Sequence, residues 1–131
     1  MTKAINETTM LQLMEDIILV LYRHGANEMV NFYVNGKHFS TDENTDFIEH
    51  AITDNRTEEK ISYYENRKPC DVTKQIEYSN PKTITMTFEG PLYHDINYGS
   101  GKILRQMETK AKKYGLYAEL GYTWSLAFYE E

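Results

Sequence analysis

Carboxylates are concentrated in one stretch of this chain. Between residues 42 and 65, eight acidic residues stand against two basic ones, Arg56 and Lys60. The acidic residues are Asp42, Glu43, Asp46, Glu49, Asp54, Glu58, Glu59 and Glu65. A field of one sign selects oppositely charged partners and speeds their association. Together with Tyr64, the array fits a mimic of a phosphate backbone that occupies the basic groove of a nucleic-acid-binding protein. The competing interpretation is that these charges only keep the surface soluble.

The segment 102–113 reverses the sign of the charge. It carries five basic residues, Lys102, Arg105, Lys110, Lys112 and Lys113, against Glu108 alone. These cations suit nucleic-acid phosphates, and nearby Tyr98, Tyr114 and Tyr117 suit base stacking. However, lysines in the last turn of a helix also complement its dipole. Because the whole chain has a net charge of −6, direct nucleic-acid binding is the alternative hypothesis.

The sequence Tyr-Gly-Ser-Gly-Lys at 98–102 resembles a phosphate-binding loop only in part. A Walker A motif requires glycine where Ile96 stands, and Ser or Thr where Ile103 stands. A weaker interpretation remains, in which glycine N–H groups and Lys102 bind an anion at a helix N-terminus. In the other interpretation the glycines only link two elements. We therefore expect no nucleotide cofactor.

No catalytic or metal-binding set emerges from the remaining reactive residues. Cys70 with His94 and Asp95 contains the residue types of a thiol hydrolase, but adjacent His and Asp on a helical turn point in different directions. Asp46 and His50, four residues apart, would share a helix face, which usually means only a solvated surface. The sequence thus predicts no catalytic residue, metal or cofactor. A small hydrolase is the weakest alternative.

Composition predicts one soluble domain spanning residues 1–131. The hydrophobic fraction is 40%, which is enough to form a core at this length. The single cysteine excludes an intramolecular disulfide. The first residues lack signal-peptide features, and the longest apolar run, at 17–22, is too short to span a bilayer, so we expect a cytoplasmic protein with no membrane contact. Eleven tyrosines suit either contact surfaces or ordinary packing, and with exposed strand edges they permit a homodimer.

The first half of the chain predicts a helix, a hairpin, a short helix and a strand. Apolar residues recur with helical spacing over 8–24, where Thr8 or Thr9 would cap the helix and Gly25 would end it. Asn35-Gly36 indicates a type I′ turn between strands at 29–34 and 37–40. Ser40 and Glu43 resemble a capping box that opens a short acidic helix at 44–54. A strand follows at 59–65.

The second half predicts strands on either side of two helical segments. Strands at 75–79 and 83–89 flank a turn at 80–82, and Pro91 opens a short helical turn that reaches Tyr98. An amphipathic helix covers 102–114, and alternating residues at 116–129 close the chain, with Gly121 marking a bulge or tight turn. The fold class is α+β: helices on one face of a mostly antiparallel sheet of about five strands, with two main amphipathic helices and one short acidic helix.

A family resemblance is carried by three runs of residues. They are Ile-Thr-Met-Thr-Phe-Glu-Gly-Pro-Leu-Tyr at 84–93, Lys-Tyr-Gly-Leu-Tyr at 113–117 and Trp-Ser-Leu at 124–126. These runs resemble small uncharacterised proteins of bacterial phages and mobile elements, and they contain no catalytic motif. The resemblance implies a counter-defence context, such as inhibition of CRISPR nucleases. We therefore hypothesise a non-enzymatic inhibitor that binds a protein partner, such as a nucleic-acid-binding defence nuclease.

Overall fold

The first helix begins at a reciprocal side-chain cap. The structure, a computed structural model, describes residues 5–131, and helix α1 is Glu7–Arg23. The side-chain oxygen of Asn6 accepts a hydrogen bond from the Thr9 amide at 2.9 Å, and the Thr9 hydroxyl accepts one from the Asn6 amide at 3.1 Å. This capping box satisfies two amides that the first turn leaves unpaired. The predicted cap at Thr8 or Thr9 is therefore wrong by two or three positions.

The end of α1 is as predicted. Gly25 has a φ of +65°, and its amide donates to the Tyr22 carbonyl at 3.0 Å, while the Ala26 amide donates to the Leu21 carbonyl at 2.7 Å. This pair of bonds closes the last turn and needs a left-handed residue, which glycine supplies without steric cost.

Seven strands form one open antiparallel sheet in the order β3-β4-β2-β1-β5-β7-β6. The strands are β1 Val30–Val34, β2 Lys37–Ser40, β3 Ile48–Thr53, β4 Lys60–Glu65, β5 Ile84–Phe88, β6 Leu116–Leu120 and β7 Ser125–Glu130. The β1–β2 turn at Asn35-Gly36 has positive φ at both residues, which confirms the type I′ prediction. Strand β4 joins β2 through only two residue pairs, Phe39 with Glu65 and Ser40 with Tyr64.

The predicted acidic helix at 44–54 does not exist. Residues 41–47 form a loop and Ile48–Thr53 is edge strand β3. Phe47, Ile48, Ala51 and Ile52 fit a helical stripe, but Ile48, His50 and Ile52 also alternate. Pairing with strand β4 favours the strand over the helix, because Ile52 pairs with Ile61 and His50 stacks on Tyr63.

Two further strand predictions need correction. The strand predicted at 75–79 is absent: a 3₁₀ turn at Val72–Lys74 precedes it, and Tyr78 has a φ of +58°, which no regular strand accommodates. The segment at 116–129 is two strands, because Gly121 begins a tight turn in which its amide donates to the Ser125 carbonyl at 3.1 Å. Within residues 5–131 the sheet therefore has seven strands instead of about five.

Three helices cover one face of the sheet. Helix α2 is Gly90–Tyr98, as predicted, and α3 is Lys102–Lys112, two residues shorter than predicted. Alternate strand residues such as Phe32 and Met86 join Met14 of α1 and Met107 of α3 in one buried core. The opposite face, called here the open face, presents the intervening residues. Segment 66–82 crosses part of it and buries Val72 and Ile76. The molecule is thus a single α+β domain.

Candidate protein-binding surface

One row of directly paired side chains crosses the open face. Glu49 pairs with Tyr64, Tyr64 with Ser40, Ser40 with Asn31, and Asn31 with Thr87. Paired residues on neighbouring strands share a face and lie about 4.8 Å apart, so the row spans roughly 19 Å. We call it the cross-strand lane.

Four exposed carboxylates belong to strand β3, where this lane begins, and to the loop that joins β2 to β3. Asp42, Glu43 and Asp46 lie in the loop that follows β2, and Glu49 lies on β3. The loop is fastened to the lane because the Asp42 amide donates to the Ser40 hydroxyl at 3.0 Å. These four residues, called the acidic end, are the part of the predicted partner-binding set that the fold brings together with Tyr64.

Asp54 has a structural position instead of a place on this surface. Its side chain is 1% exposed, and its two carboxylate oxygens accept from Arg23 of α1 at 2.8 and 3.1 Å. The Arg56 amide also donates to it at 2.9 Å, which shapes the β3–β4 turn. These bonds, that from Arg23 foremost, lower the pKa of the Asp54 carboxyl to about 2. Asp54 is therefore not accessible to a partner.

The other three predicted acidic residues lie away from the acidic end. Glu58 and Glu59 are in the β3–β4 turn at the far end of the hairpin, and Glu59 accepts a hydrogen bond from the Tyr22 hydroxyl of α1. Glu65 is on the helix-covered face and its carboxylate contacts the His50 ring nitrogen at 2.9 Å. The eight acidic residues between 42 and 65 therefore do not form one continuous surface.

The basic residues lie on the outer face of α3. Lys102, Arg105, Lys112 and Lys113 are exposed and Lys110 is partly exposed, whereas the helix buries Ile103, Met107 and Ala111. Tyr98 and Tyr117 are accessible for stacking. Tyr114 is 1% exposed and cannot stack on a base.

The N-terminus of α3 is occupied by the chain itself. The Asp95 carboxylate accepts from the Ile103 amide at 3.2 Å, and the Gly99 and Gly101 amides donate to the Asp95 carbonyl at 3.2 and 3.3 Å. Gly99 lies so close that an added Cβ would come within 2.9 Å of the Asp95 Cα. The glycines therefore serve a helix–helix junction, and an external anion would compete with a resident carboxylate.

The other reactive residues do not assemble into a site. Cys70 is buried over the β1–β2 turn, where its amide donates to the Gly36 carbonyl, and burial raises the pKa of its thiol. His94 is exposed on α2 beside Tyr98. Among residues 5–131, no group of three or more His, Cys, Asp or Glu side chains is arranged to hold a metal ion.

An aromatic cluster that the sequence did not predict stands beyond the far end of the lane. Trp124 stacks on Tyr122 with ring centroids 4.9 Å apart, and Tyr78 meets Tyr122 edge-on at 5.4 Å. The Tyr122 hydroxyl donates to Glu77 at 2.8 Å. These three rings, called the aromatic wall, are all at least 37% exposed. Gly121 was the sequence signal that could have predicted this cluster, because a turn at Gly121 places Tyr122 and Trp124 outside the strands.

A groove of about 460 Å³ lies between the lane and the aromatic wall. Its floor includes Asn31 and Thr87 of the lane, and its sides include Asp42, Glu89 and Trp124. The acidic end and the aromatic wall therefore border one continuous surface.

Comparisons with known proteins do not assign this surface. No protein-family model matches the chain, and searches of curated proteins and of solved structures found no significant match. The resemblance to phage and mobile-element proteins stays a prediction. In the part of the chain that the structure describes, no helix has the length and apolarity needed to cross a bilayer.

Proposed function

We propose that this protein is a non-enzymatic inhibitor that binds a basic macromolecular partner, such as a nucleic-acid-binding defence nuclease, through its acidic end. The supporting observation is that all four residues of the acidic end are exposed, Glu49 at the β3 end of the cross-strand lane and Asp42, Glu43 and Asp46 in the loop that joins β2 to β3. A cluster of this kind attracts a cationic groove of the sort that binds phosphates, and gives fast, salt-sensitive association.

The separation of charge across the fold supports the same proposal. The acidic end lies at β2 and β3, whereas the exposed cations of α3 lie on the helical layer that covers the opposite face. The acidic end and the cations of α3 therefore lie on opposite sides of the sheet, and the nearest cation to the acidic end is Arg67, whose side chain donates to the Asp46 carbonyl at 3.1 Å. The rival proposal, a nucleic-acid-associated module, would use Lys102, Arg105, Lys110, Lys112 and Lys113 instead.

The test is capture from bacterial lysate, followed by affinity measurement with the captured partner. A neutralised acidic end (Glu43→Gln, Asp46→Asn, Glu49→Gln) is compared with a matched control (Glu58→Gln, Glu130→Gln, Glu131→Gln) of equal net charge. Since an exposed charge pair contributes about 0.2–1 kcal/mol, we expect about a tenfold loss for the first variant and little change for the control.

Two outcomes contradict the proposal. Equal loss in both variants would mean that net charge alone matters, and no loss in either would mean that the acidic end is not used. A shift of free DNA or RNA by the unaltered protein at moderate salt would support the basic helix α3 instead.

Inhibition is then measured directly, as the activity of the captured partner on nucleic acid with and without this protein.

A further inference from the structure

The groove beside the cross-strand lane carries uncompensated negative charge. Asp42 and Glu89 both line it, and no Lys, Arg or His among residues 5–131 does so. The Asp42 carboxylate is held in place, since both its oxygens accept from the Met29 amide at 3.1 Å. Glu89 precedes α2 and makes no side-chain capping bond. The groove is therefore electrostatically suited to a cation.

An aromatic side chain also lines the same groove. Trp124 is 40% exposed, and Tyr122 stacks on one face of its ring, nearly parallel at 10°. Tyr122 is in turn fixed by its bond to Glu77. A supported indole next to carboxylates attracts a cation through both its π-face and the neighbouring charges.

The shape of the surface favours an extended chain. The lane that leads from Glu49 to the groove is roughly 19 Å long, the length of about six extended residues. Three of its five residues, Ser40, Asn31 and Thr87, have small side chains, and Tyr64 is the one aromatic residue in the row. The groove at its end accepts one long side chain.

We propose that an extended basic segment of the partner lies along the cross-strand lane and inserts an arginine side chain into the groove. The planar guanidinium stacks on Trp124 and donates to Asp42 and Glu89. Arginine fits better than lysine because its flat, forked donor group pairs with carboxylates and stacks on aromatic rings at the same time. This inference rests on the proposed function, since it assumes a basic protein partner.

Trp124 is the chain's one tryptophan, so its fluorescence reports occupancy of the groove directly. The probe is the acetylated and amidated heptapeptide Gly-Arg-Gly-Arg-Gly-Arg-Gly, and its control carries citrulline, which is neutral and nearly isosteric, at every arginine. We expect a saturable change in Trp124 emission with the arginine peptide and none with the citrulline peptide. Calorimetry measures the same affinity independently of the tryptophan.

Single substitutions then locate the contact. We expect Trp124→Leu to weaken binding about fivefold by calorimetry. Glu89→Gln should weaken it about threefold. Tyr98→Leu, which removes an exposed ring elsewhere, and Glu130→Gln, at the opposite end of β7, should leave it unchanged. Circular dichroism melts confirm folding, and Glu89→Gln provides the test if Trp124→Leu unfolds.

The outcomes separate this proposal from the proposed function. Peptide binding that depends on Glu43, Asp46 and Glu49 but leaves Trp124 emission unchanged, and is unaffected by Trp124→Leu and Glu89→Gln, overturns the groove and leaves the function standing. No binding, or binding unaffected by neutralising the acidic end, counts against both. Equal affinity for the citrulline peptide overturns the charge argument. Trp124 emission that shifts with protein concentration alone, together with dimers in sedimentation, would make a second copy the occupant.

Discussion

At the residue scale, the carboxylates that look alike in the sequence differ in what surrounds them. Asp54 is buried against Arg23 and Glu59 bonds the Tyr22 hydroxyl, so both hold the β3–β4 hairpin to helix α1. Glu43 and Asp46 are exposed in a loop and remain available to a partner. Exposure and pairing, rather than residue type, distinguish structural acids from candidate binding acids.

The ion pair of Asp54 makes the stability of the fold decrease at low pH. Its folded pKa of about 2 lies below the unfolded value of about 3.9, so its contribution is complete above about pH 4 and is lost as the pH falls towards 2. We expect Asp54→Asn to lower the melting temperature at pH 7, and the difference from the unaltered protein to shrink between pH 4 and pH 2. Thermal melts followed by circular dichroism across this range check it.

The exposed Asp46→Asn is the control for Asp54→Asn, and it should leave the melting temperature nearly unchanged at every pH. If Asp54→Asn gave a difference that stayed constant down to pH 2, the ionised Asp54 carboxylate would not be the source of the lost stability, which would contradict the prediction.

At the scale of elements, local patterns predicted what local forces decide. The spacing of Met10, Leu13 and Ile17 predicted α1, the pair Asn35-Gly36 predicted its turn, and alternation predicted β5. Segment 44–54 failed because helical and alternating patterns coexist there and β4 decides between them. The positions of the acidic end and of the aromatic wall could not be predicted from the sequence for the same reason, because they depend on which strands become neighbours.

Two glycines are required for different reasons, one for its backbone conformation and one for a close contact, so we expect their substitutions to have different effects. Gly36 has open space around it but a φ of +76°, whereas Gly99 has an ordinary φ and a backbone contact with Asp95. We expect Gly36→Ala to cost about 1 kcal/mol and Gly36→Asn less, because asparagine tolerates left-handed backbone. Gly99→Ala should cost about 1–3 kcal/mol, and asparagine should not rescue it.

Chemical denaturation of these four variants provides the measurement. A Gly99→Asn protein as stable as the unaltered chain would show that the junction between α2 and α3 yields easily, contrary to the close approach of Asp95.

At the scale of the whole molecule, all three helices and most of the strands share one core. Met107 of α3 is completely buried in it. We expect Met107→Ala to destabilise the whole chain by about 2–5 kcal/mol in a single transition. Trp124 fluorescence, which reports the β6–β7 turn, and far-ultraviolet circular dichroism should then give coincident unfolding curves.

Leu120→Ala is the matched control, because Leu120 is 47% exposed at the edge of the sheet. Its cost should stay within about 0.5 kcal/mol. Separate transitions for the two probes in Met107→Ala would mean that the β6–β7 hairpin unfolds on its own.

The attachment of the β3–β4 hairpin has a consequence for divergence among descendants of this chain. Two residue pairs join β4 to β2, and the hairpin is also held by the buried side chains of Ile61 and Tyr63 and by the bond of Arg23 with Asp54. Since the strands of the hairpin contribute to the core, the exposed residues 42–46 of its leading loop are the positions that can change charge without disturbing the core. Under the proposed function, we therefore expect descendants of this chain to vary at these exposed positions and to keep the scaffold unchanged.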